Sequence, residues 1–500
     1  MPLFALRSGR DWGIGEIGDL PALCRWLASA GHRLLQLLPI FEMPVGERSP
    51  YAAVSAFAID PIYLSLDAVE DVVATGGRDA ARDAIAAARG DSAIDYDGVR
   101  RAKRAALERA FARFVAAEWE TGSARAVVFR RFRDDEAVWL ADYALFRALQ
   151  ERHGSWTGWE PGLRDRRPEA IAAEASGLAR ERLFHEWVQW IAAVQWTAAR
   201  RAAAAEGVRL KGDLPFMVSA SSADVWARQG DFALDAEIGA PPDAFNADGQ
   251  RWGLPPCRWE AMAAAGDLAW LRARARRAAE LFDAFRIDHV VGFYRQYVLP
   301  PGRFVPADET EQIGLGERLL RVLRESAGPT KVIGEDLGVV PPFVRASLAR
   351  LAIPGYRVLR WEDDAGIFRD PTAYPARSVA TSGTHDTSTL AAWWEDELDD
   401  AGRRALARVP AFAPLAGASA KFTPPVHAAL LDGLYAAASD LVVLPFPDVY
   451  GGRERINVPA TVGRTNWAYR LPWTVEELGA GAADELRTKL RTLAERHGRM

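Results

Sequence analysis

Eight short apolar runs, separated by longer stretches with helical periodicity, constrain the fold of this chain more than any other feature. Most of the runs are nearly continuous in apolar residues, which is typical of strands buried on both faces of a parallel sheet. Eight such strands with helical connections predict the α/β class and a (β/α)8 barrel, or TIM barrel. The runs lie at residues 2–7, 33–40, 208–216, 285–293, 331–338, 356–362, 378–386 and 441–450.

The spacing of these runs predicts how the 500 residues are organised. Residues 1–66 are predicted to form the N-terminal part of the barrel, residues 67–185 a helical insertion subdomain, and residues 186–500 the remainder of the barrel. Residues 179–207 have the pattern of one long helix that leads into the third strand. Residues 230–262, rich in Gly, Pro and Asp, favour a long loop at the barrel mouth.

Charge and composition exclude several classes of function. The net charge of −5 is spread without a basic tract, which argues against nucleic acid or an anionic membrane as a partner. The chain has no run of roughly 18 apolar residues and no secretory signal at its start. Cys24 and Cys257 are too few for a disulfide framework. We therefore expect a soluble cytoplasmic protein, and the sequence leaves its oligomeric state open.

Three acidic residues stand at the ends of three predicted strands: Asp288, Glu335 and Asp386. A parallel barrel directs side chains at the C-terminal ends of its strands into one mouth. Three carboxylates that converge on one cavity repel one another, so such a cluster is rarely assembled without a chemical use. Taken one at a time, the same acids are compatible with an ion pair, a helix N-cap or a turn. The set of three favours catalysis.

The residues around these acids indicate distinct chemical roles. Arg286 lies two residues before Asp288, so both side chains are expected to point into the barrel. A guanidinium group keeps a neighbouring carboxylate ionised, as a nucleophile requires. Glu335, in an apolar mouth near another carboxylate, is expected to have the raised pKa of a general acid. With Asp386 to hold sugar hydroxyls, the pattern favours retaining glycosyl transfer.

Longer motifs along almost the whole chain resemble the 4-α-glucanotransferases of the amylomaltase (disproportionating enzyme) family, glycoside hydrolase family 77. Together these motifs are highly specific, although no single one is. They include WGIGEIGDL (12–20), SPYAAVSAFAIDP (49–61), KGDLPF (211–216), SADVWA (222–227), FRIDHVVGF (285–293), IGEDLG (333–338), GTHDT (383–387) and RINVPAT (455–461).

The resemblance implies a role for each matching residue. Asp288 is implied as the nucleophile, Glu335 as the general acid/base and Asp386 as the stabiliser of the transition state. The substrates implied are α-1,4-glucans, namely maltooligosaccharides, amylose and glycogen-derived chains, with transfer to the 4-OH of an acceptor glucan or glucose. The residues implied to bind the donor glucan are Ser49, Tyr51, Asp213, Arg286, His385 and Asn457.

The lid loop at 239–255 corresponds to the flexible lid of the family, on the acceptor side. Asp243 and Phe245 lie within it as predicted substrate contacts. Trp252 and Trp259 are further aromatic residues that we expect to stack on sugar faces or to pack in the protein. An aromatic lid of this kind excludes water from the site.

We predict neither a cofactor nor a metal site. The sequence GIGEIG (13–18) fits a dinucleotide-binding pattern, but a polar stretch separates it from any strand. His185 and Glu186 begin a zinc-like motif, but residue 189 is Gln where the second His belongs. Two other functions remain open: a retaining α-glucan hydrolase on the same scaffold, with water as the acceptor, and a catalytically silent glucan-binding protein.

Overall fold

The computed structural model describes residues 1–90, 93–242, 249–459, 461 and 463–500. The strands in the described residues are β1 (Leu34–Gln36), β2 (Arg209–Leu214), β3 (Glu237–Ala240), β4 (Gln250–Leu254), β5 (Ala284–Ile287), β6 (Gln296–Leu299), β7 (Arg303–Val305), β8 (Lys331–Gly334), β9 (Gly355–Val358), β10 (Asp363–Asp364), β11 (Ile367–Phe368), β12 (Ser378–Thr381) and β13 (Leu441–Val442).

Helices separate the strands. They are α1 (Leu20–Ser29), α2 (Glu70–Ala74), α3 (Arg82–Arg89), α4 (Tyr96–Phe114), α5 (Ala124–Asp135), α6 (Ala137–His153), α7 (Pro161–Arg164), α8 (Pro168–Gly177), α9 (Ala179–Ala205), α10 (Ala223–Ala227), α11 (Trp259–Gly266), α12 (Ala269–Leu281), α13 (Glu309–Ala327), α14 (Pro342–Arg350), α15 (Leu390–Ala392), α16 (Asp400–Leu406), α17 (Pro424–Tyr435), α18 (Phe446–Tyr450) and α19 (Gly481–Arg496).

Two parallel sheets, with strand orders β1-β2-β5-β8 and β9-β12-β13, form the framework that carries the site. The Gly334 N–H at the end of β8 donates to the Pro354 carbonyl just before β9, at 2.9 Å, so the second sheet continues the first. Strands β5 and β12 are buried along their whole length. This is the double burial that the continuous apolar runs predict.

Seven of the eight predicted runs contain these parallel strands, and the run at residues 2–7 does not. Leu3–Ala5 instead form a 3-10 helix, so the prediction of a strand there is wrong. The side chains of Phe4 and Leu6 are buried in the core, and the Phe4 carbonyl accepts from the Gly15 N–H. Burial produced the apolar run, and burial alone does not distinguish a strand from a short helical turn.

Helix α13 shows how the outer layer is specified locally. Its first turn is capped by Asp308, whose carboxylate accepts from the backbone N–H of Glu311 at 3.0 Å. Leu319 and Leu323, four residues apart, are buried on the inner face. The helix ends at Ala327 and is followed by Gly328, whose positive φ of 59° is one that a residue with a side chain rarely adopts.

The chain between β1 and β2 carries helices α2 to α9. The long helix predicted at 179–207 is confirmed as α9, which runs directly into the region of β2. Because α9 crosses residue 185, the helical segment and the barrel share this helix. Helix α4 is attached through Lys103, whose buried Nζ lies 2.7 Å from Glu16 Oε1 and donates to the carbonyls of Ile62 and Leu64.

The region predicted as a lid loop at 239–255 contains regular structure, so the prediction of an entirely irregular loop is wrong. Strands β3 and β4 belong to a four-stranded antiparallel sheet of order β4-β3-β6-β7. Ile238 of β3 pairs with Val298 of β6 on one side and Leu254 of β4 on the other. These strands lie at the surface and are partly exposed, so their apolar pattern is weak. Asp243 and Phe245 lie outside the described residues.

The helices of the described residues were also compared with the length and apolar character that a bilayer requires. None of them combines sufficient length with sufficient hydropathy to span a membrane.

Replacing Lys103 with Met is expected to lower the free energy of unfolding by about 3–5 kcal/mol, because the substitution leaves the Glu16 carboxylate buried without its cation. The matched control is Lys421→Met, at an exposed lysine, where we expect a change within about 0.5 kcal/mol. Urea unfolding followed by tryptophan fluorescence measures both variants. Equal unfolding midpoints for the two would show that the Lys103 contacts do not hold the helical segment to the barrel.

Candidate active site

Residues at the C-terminal ends of four parallel strands meet at one face of the sheets. Asp213 lies in β2 and Arg286 in β5, and they are paired in register. Asp288 directly follows β5, and Glu335 directly follows β8. Asp386 lies a short distance beyond β12. The strand ends of a parallel barrel all open on one side, and that geometry brings these residues together.

The guanidinium group of Arg286 is the centre of the cluster. Its Nη1 lies 2.7 Å from Asp213 Oδ1, and its Nη2 lies 2.9 Å from Asp288 Oδ1 and 3.6 Å from Glu335 Oε2. Asp288 Oδ1 and Glu335 Oε2 therefore both lie close to the same nitrogen atom. This proximity is compatible with the separation of about 5–5.5 Å between the two carboxyl groups of retaining glycosidases.

Glu335 is held in a defined position and has an altered acidity. Its Oε2 accepts from the backbone N–H of His289 at 2.8 Å, and its Oε1 accepts from that of Leu337 at 3.0 Å. Burial raises the pKa of Glu335 to about 8; Arg286 opposes the shift, and the charge of Asp288 adds to it. Glu335 thus carries a proton near neutral pH, as the sequence predicts for a general acid.

Asp288 lies closer to the Arg286 guanidinium than Glu335 does. Burial raises its pKa from the ordinary value, and the adjacent Arg286 guanidinium opposes that shift. The contact with Arg286 stabilises the carboxylate form. The backbone N–H of Asp288 donates to the Leu214 carbonyl at 3.0 Å, which continues the β2–β5 ladder to the tip of the strand. When one carboxyl group of such a pair is ionised and the other is protonated, the first can attack the carbon of a glycosidic bond while the second protonates its oxygen.

Asp386 lies across the mouth, in a different electrostatic environment. Its Oδ1 accepts from Asn457 Nδ2 at 2.6 Å, and its Oδ2 lies 3.3 Å from His385 Nε2. Although desolvation inside the mouth acts to raise it, the pKa of Asp386 is lowered to about 2 by the charge of His385 and by hydrogen bonds from His385 and Asn457. Its side chain is 42% exposed, so the carboxylate is charged and faces the opening.

Aromatic rings form one wall beside these acids. The Tyr51 hydroxyl donates to Asp213 Oδ2 at 2.8 Å, and the Tyr51 ring stacks on His385 with 5.0 Å between centroids. Trp467 lies 5.7 Å from the His385 ring. Ser49 belongs to the turn that carries Tyr51, and its Oγ accepts from the Tyr51 N–H. Within the described residues, it is Tyr51, through Asp213, that connects the turn of Ser49 and Tyr51 to the carboxyl groups of the site.

Some residues at the site were not singled out from the sequence. Below Asp213, on the same face of β2, the Lys211 Nζ donates to Gln36 Oε1 and to the Tyr356 hydroxyl, each at 2.8 Å. Burial lowers the pKa of Lys211 to about 7. The sequence does contain a signal for Lys211: it lies two residues before Asp213 in a strand, so both side chains are on the same face. Trp467 has no comparable signal, because it enters the site from a distant loop.

The two tryptophans near the lid have different surroundings. Trp252 in β4 packs edge-on against His289, the neighbour of Asp288, with 5.1 Å between ring centroids. Trp259 is only 3% exposed and stacks on Phe293 in the core. The expectation that Trp259 stacks on a sugar is therefore wrong, and its alternative, packing in the protein, holds. The residue begins helix α11 and its side chain is buried.

Comparisons with known proteins agree with this geometry. The family described as 4-alpha-glucanotransferase matches residues 1–475. A 4-alpha-glucanotransferase from Thermus thermophilus is 34% identical, over 97% of this chain and 95% of the relative, and one from Chlamydia pneumoniae is 31% identical over 96% and 91%. The solved structure of Streptococcus agalactiae amylomaltase in complex with acarbose superposes with a TM-score of 0.84 at 25% identity, over 100% of this chain and 98% of that one. The predicted α/β class is confirmed, and the superposition on amylomaltase supports the predicted barrel. The chain belongs to the 4-alpha-glucanotransferase family.

Proposed function

We propose that this enzyme transfers segments of an α-1,4-glucan from a donor to the 4-OH of an acceptor glucan or glucose, with retention of configuration. The observation that carries the proposal is the shared Arg286 guanidinium, whose Nη2 contacts both Asp288 and Glu335. The proposal assigns to Asp288 the role of nucleophile and to Glu335 the role of general acid/base. Maltooligosaccharides, amylose and glycogen-derived chains are the proposed substrates.

The catalytic cycle has two displacements. Glu335 protonates the glycosidic oxygen while the Asp288 carboxylate attacks the anomeric carbon, so the leaving glucan departs with the proton and a covalent glucosyl-Asp288 forms. The deprotonated Glu335 then takes the proton of the acceptor 4-OH, and the acceptor oxygen displaces Asp288. Two inversions at one carbon give net retention.

The charged and aromatic groups around the pair are proposed to hold the donor sugar. Asp386 is oriented by His385 and Asn457, and its ionised carboxylate is suited to accept hydrogen bonds from sugar hydroxyls. Such bonds strengthen as the ring flattens toward the oxocarbenium ion. Tyr51 and Asp213 extend the same surface, and Ser49 stays a predicted contact from the same turn.

Choice of a sugar over water as acceptor requires a site that excludes solvent. The edge of Trp252 against His289 brings the β3–β4 segment next to the nucleophile. We propose that the described part of this segment covers the acceptor side, and Asp243 and Phe245 stay predicted substrate contacts. The similarity of this chain to 4-alpha-glucanotransferases supports transfer rather than hydrolysis as its reaction. The presence of all three acids argues against a silent binding protein.

Two further assignments complete the proposal. Residues 67–185 are proposed as a helical subdomain carried by the barrel, with the start of α9 as their link to it. The enzyme is proposed to act in the cytoplasm, because its cysteines, Cys24 and Cys257, are both buried and free.

Incubation with maltotriose is expected to yield glucose together with a series of maltodextrins longer than the substrate. Chromatography of the products distinguishes the alternatives, because a hydrolase yields glucose and maltose only, and a silent protein yields neither while still binding the sugar. The Asp288→Asn variant, prepared in parallel, controls for contaminating activity and is expected to produce no series. Glucose and maltose without longer products would contradict the proposed transfer.

Glu335→Gln is expected to reduce transfer from maltotriose by at least about 100-fold, because no group protonates the leaving oxygen. The same variant should still release fluoride from α-maltotriosyl fluoride in a first turnover, since fluoride leaves without protonation. In the unmodified enzyme, kcat/KM should fall as pH rises through about 8, where Glu335 loses its proton. Absence of the fluoride burst, or the same alkaline fall in the variant, would remove Glu335 from this role.

A further inference from the structure

Asp386 lies on a connecting segment between a strand and a helix. Strand β12 ends at Thr381 and helix α15 begins at Leu390, and residues 382–389, all of which the structure describes, connect them without a helix or strand. We call residues 382–389 the Asp386 segment. A carboxylate that acts on a reacting sugar ring must be placed to within about 0.5 Å. Because the segment has no strand ladder of its own, contacts from outside it are needed to fix that position.

One buried arginine contacts both ends of the Asp386 segment. Arg360 lies in the 3-10 turn Leu359–Trp361 that follows β9, and its side chain is 5% exposed. Its Nε donates to the carbonyl of Ser382, at the start of the segment, at 3.3 Å. Near the end of the segment, its Nη1 donates to Ser388 Oγ at 2.6 Å and its Nη2 to the Ser388 carbonyl at 2.8 Å. All three guanidinium nitrogens are used, so the plane of the group is fixed.

A buried aspartate contacts the same two ends from the other side. Asp448 lies in α18, which follows β13, and is 1% exposed. Its Oδ2 accepts from Ser382 Oγ at 2.6 Å, and its Oδ1 accepts from the backbone N–H of Leu390 at 2.7 Å. Strand β12 lies between β9 and β13 in the sheet. Arg360 and Asp448 therefore reach the segment from the two strands that flank its own.

The burial of these two charges ties them to the position of the segment. Burial lowers the pKa of Arg360, and the charge of Asp448 opposes that shift. Burial raises the pKa of Asp448, and hydrogen bonds from Ser382 and Leu390 oppose that shift. A buried charge is costly unless it is paired and hydrogen-bonded. Displacement of the Asp386 segment would remove partners from both charged groups at once, so the segment is held in one place.

Other contacts reach the middle of the segment. Arg455 Nη2 donates to the Asp386 carbonyl at 2.6 Å, and the Asn457 N–H donates to the His385 carbonyl at 3.0 Å. Arg455 and Asn457 themselves belong to a connection that is neither helix nor strand. The two charged residues at the ends differ, because each lies in a helical turn that follows a strand of the parallel sheet. They relate the segment directly to the barrel.

We propose that Arg360 and Asp448 are positioning residues for the glycosyl transfer. They hold the two ends of the Asp386 segment to the turns after β9 and β13, and thereby set where the Asp386 carboxylate meets the donor sugar ring. Both side chains are buried, so they act through Asp386 and not on the sugar itself. The inference rests on the function proposed above, in which Asp386 stabilises the transition state.

Arg360→Met removes the three donors and keeps the aliphatic part of the side chain. With α-maltotriosyl fluoride at saturation, we expect the first-order rate constant of fluoride release to fall by about 10- to 100-fold, because Asp386 is displaced from the reacting ring. The half-saturating concentration should change by less than about threefold, since Asp386 acts mainly in the transition state. Arg369→Met is the matched control: Arg369 lies in the same connection after β9, is 57% exposed and contacts Glu362. It should keep the rate within about twofold.

A double-mutant cycle with Asp386→Ala distinguishes positioning from a general loss of structure. If Arg360 acts through Asp386, Arg360→Met lowers the rate by about twofold at most once the Asp386 carboxylate is absent. Asp288→Asn supplies the background rate that is subtracted. An equal fall in both backgrounds, or no fall when Asp386 is present, would overturn the positioning role and leave the proposed transfer standing. An unchanged rate in Asp386→Ala would instead contradict the role of Asp386 in that function and remove the positioning role with it.

Two milder variants keep the test decisive where Arg360→Met unfolds the protein. Ser388→Ala removes the bond to Arg360 Nη1, and Ser382→Ala removes the bond to Asp448 Oδ2, without deleting a buried charge. Each is expected to slow fluoride release by about 3- to 10-fold when Asp386 is present, and not in Asp386→Ala. Circular dichroism before each measurement establishes that the variant is folded. Rates equal to that of the unmodified enzyme in both serine variants would overturn the proposal.

Discussion

A single buried guanidinium group, that of Arg286, makes the rest of the site possible. Three carboxyl groups, those of Asp213, Asp288 and Glu335, converge on it within the barrel. Without a cation, such a cluster would cost several kcal/mol for each buried charge. Arg286 contacts Asp213 and Asp288 most closely, and Glu335, whose pKa is raised to about 8, lies farthest from it. The roles proposed for Asp288 and Glu335 agree with their unequal distances to one Nη2 atom.

The barrel supplies the positions that Arg286 requires. Strand β5 lies between β2 and β8, with Arg286 opposite Asp213 on one side and Ile333 on the other. Because side chains alternate across a strand, a slip of one residue in either ladder would turn Arg286 or Asp213 away from the mouth. The buried apolar rungs next to Arg286, such as Phe285 and Ile287, oppose that slip. Core packing and catalytic geometry are thus set by the same register.

Much of the site could be predicted from the sequence, and the reasons for success and failure are physical. Asp288, Glu335 and Asp386 were predictable because parallel strands buried on both faces have a strong apolar signal and end on one side. The prediction of a strand at residues 2–7 was wrong because burial alone does not distinguish a 3-10 helix from a strand. The antiparallel strands at the mouth were not predicted because partly exposed strands have a weak apolar pattern. Trp467 was missed because a contact between distant loops has no local signature.

The most direct test of this account is to identify the residue that bears the sugar. In Glu335→Gln, the second displacement lacks its general base, so α-maltotriosyl fluoride should leave a long-lived covalent adduct. Intact-protein mass spectrometry followed by peptide mapping measures the adduct and locates it. We expect one maltotriosyl group per chain, attached to Asp288 in the segment at residues 285–293. A sugar attached to another carboxylate, or fluoride release without any adduct, would contradict the account.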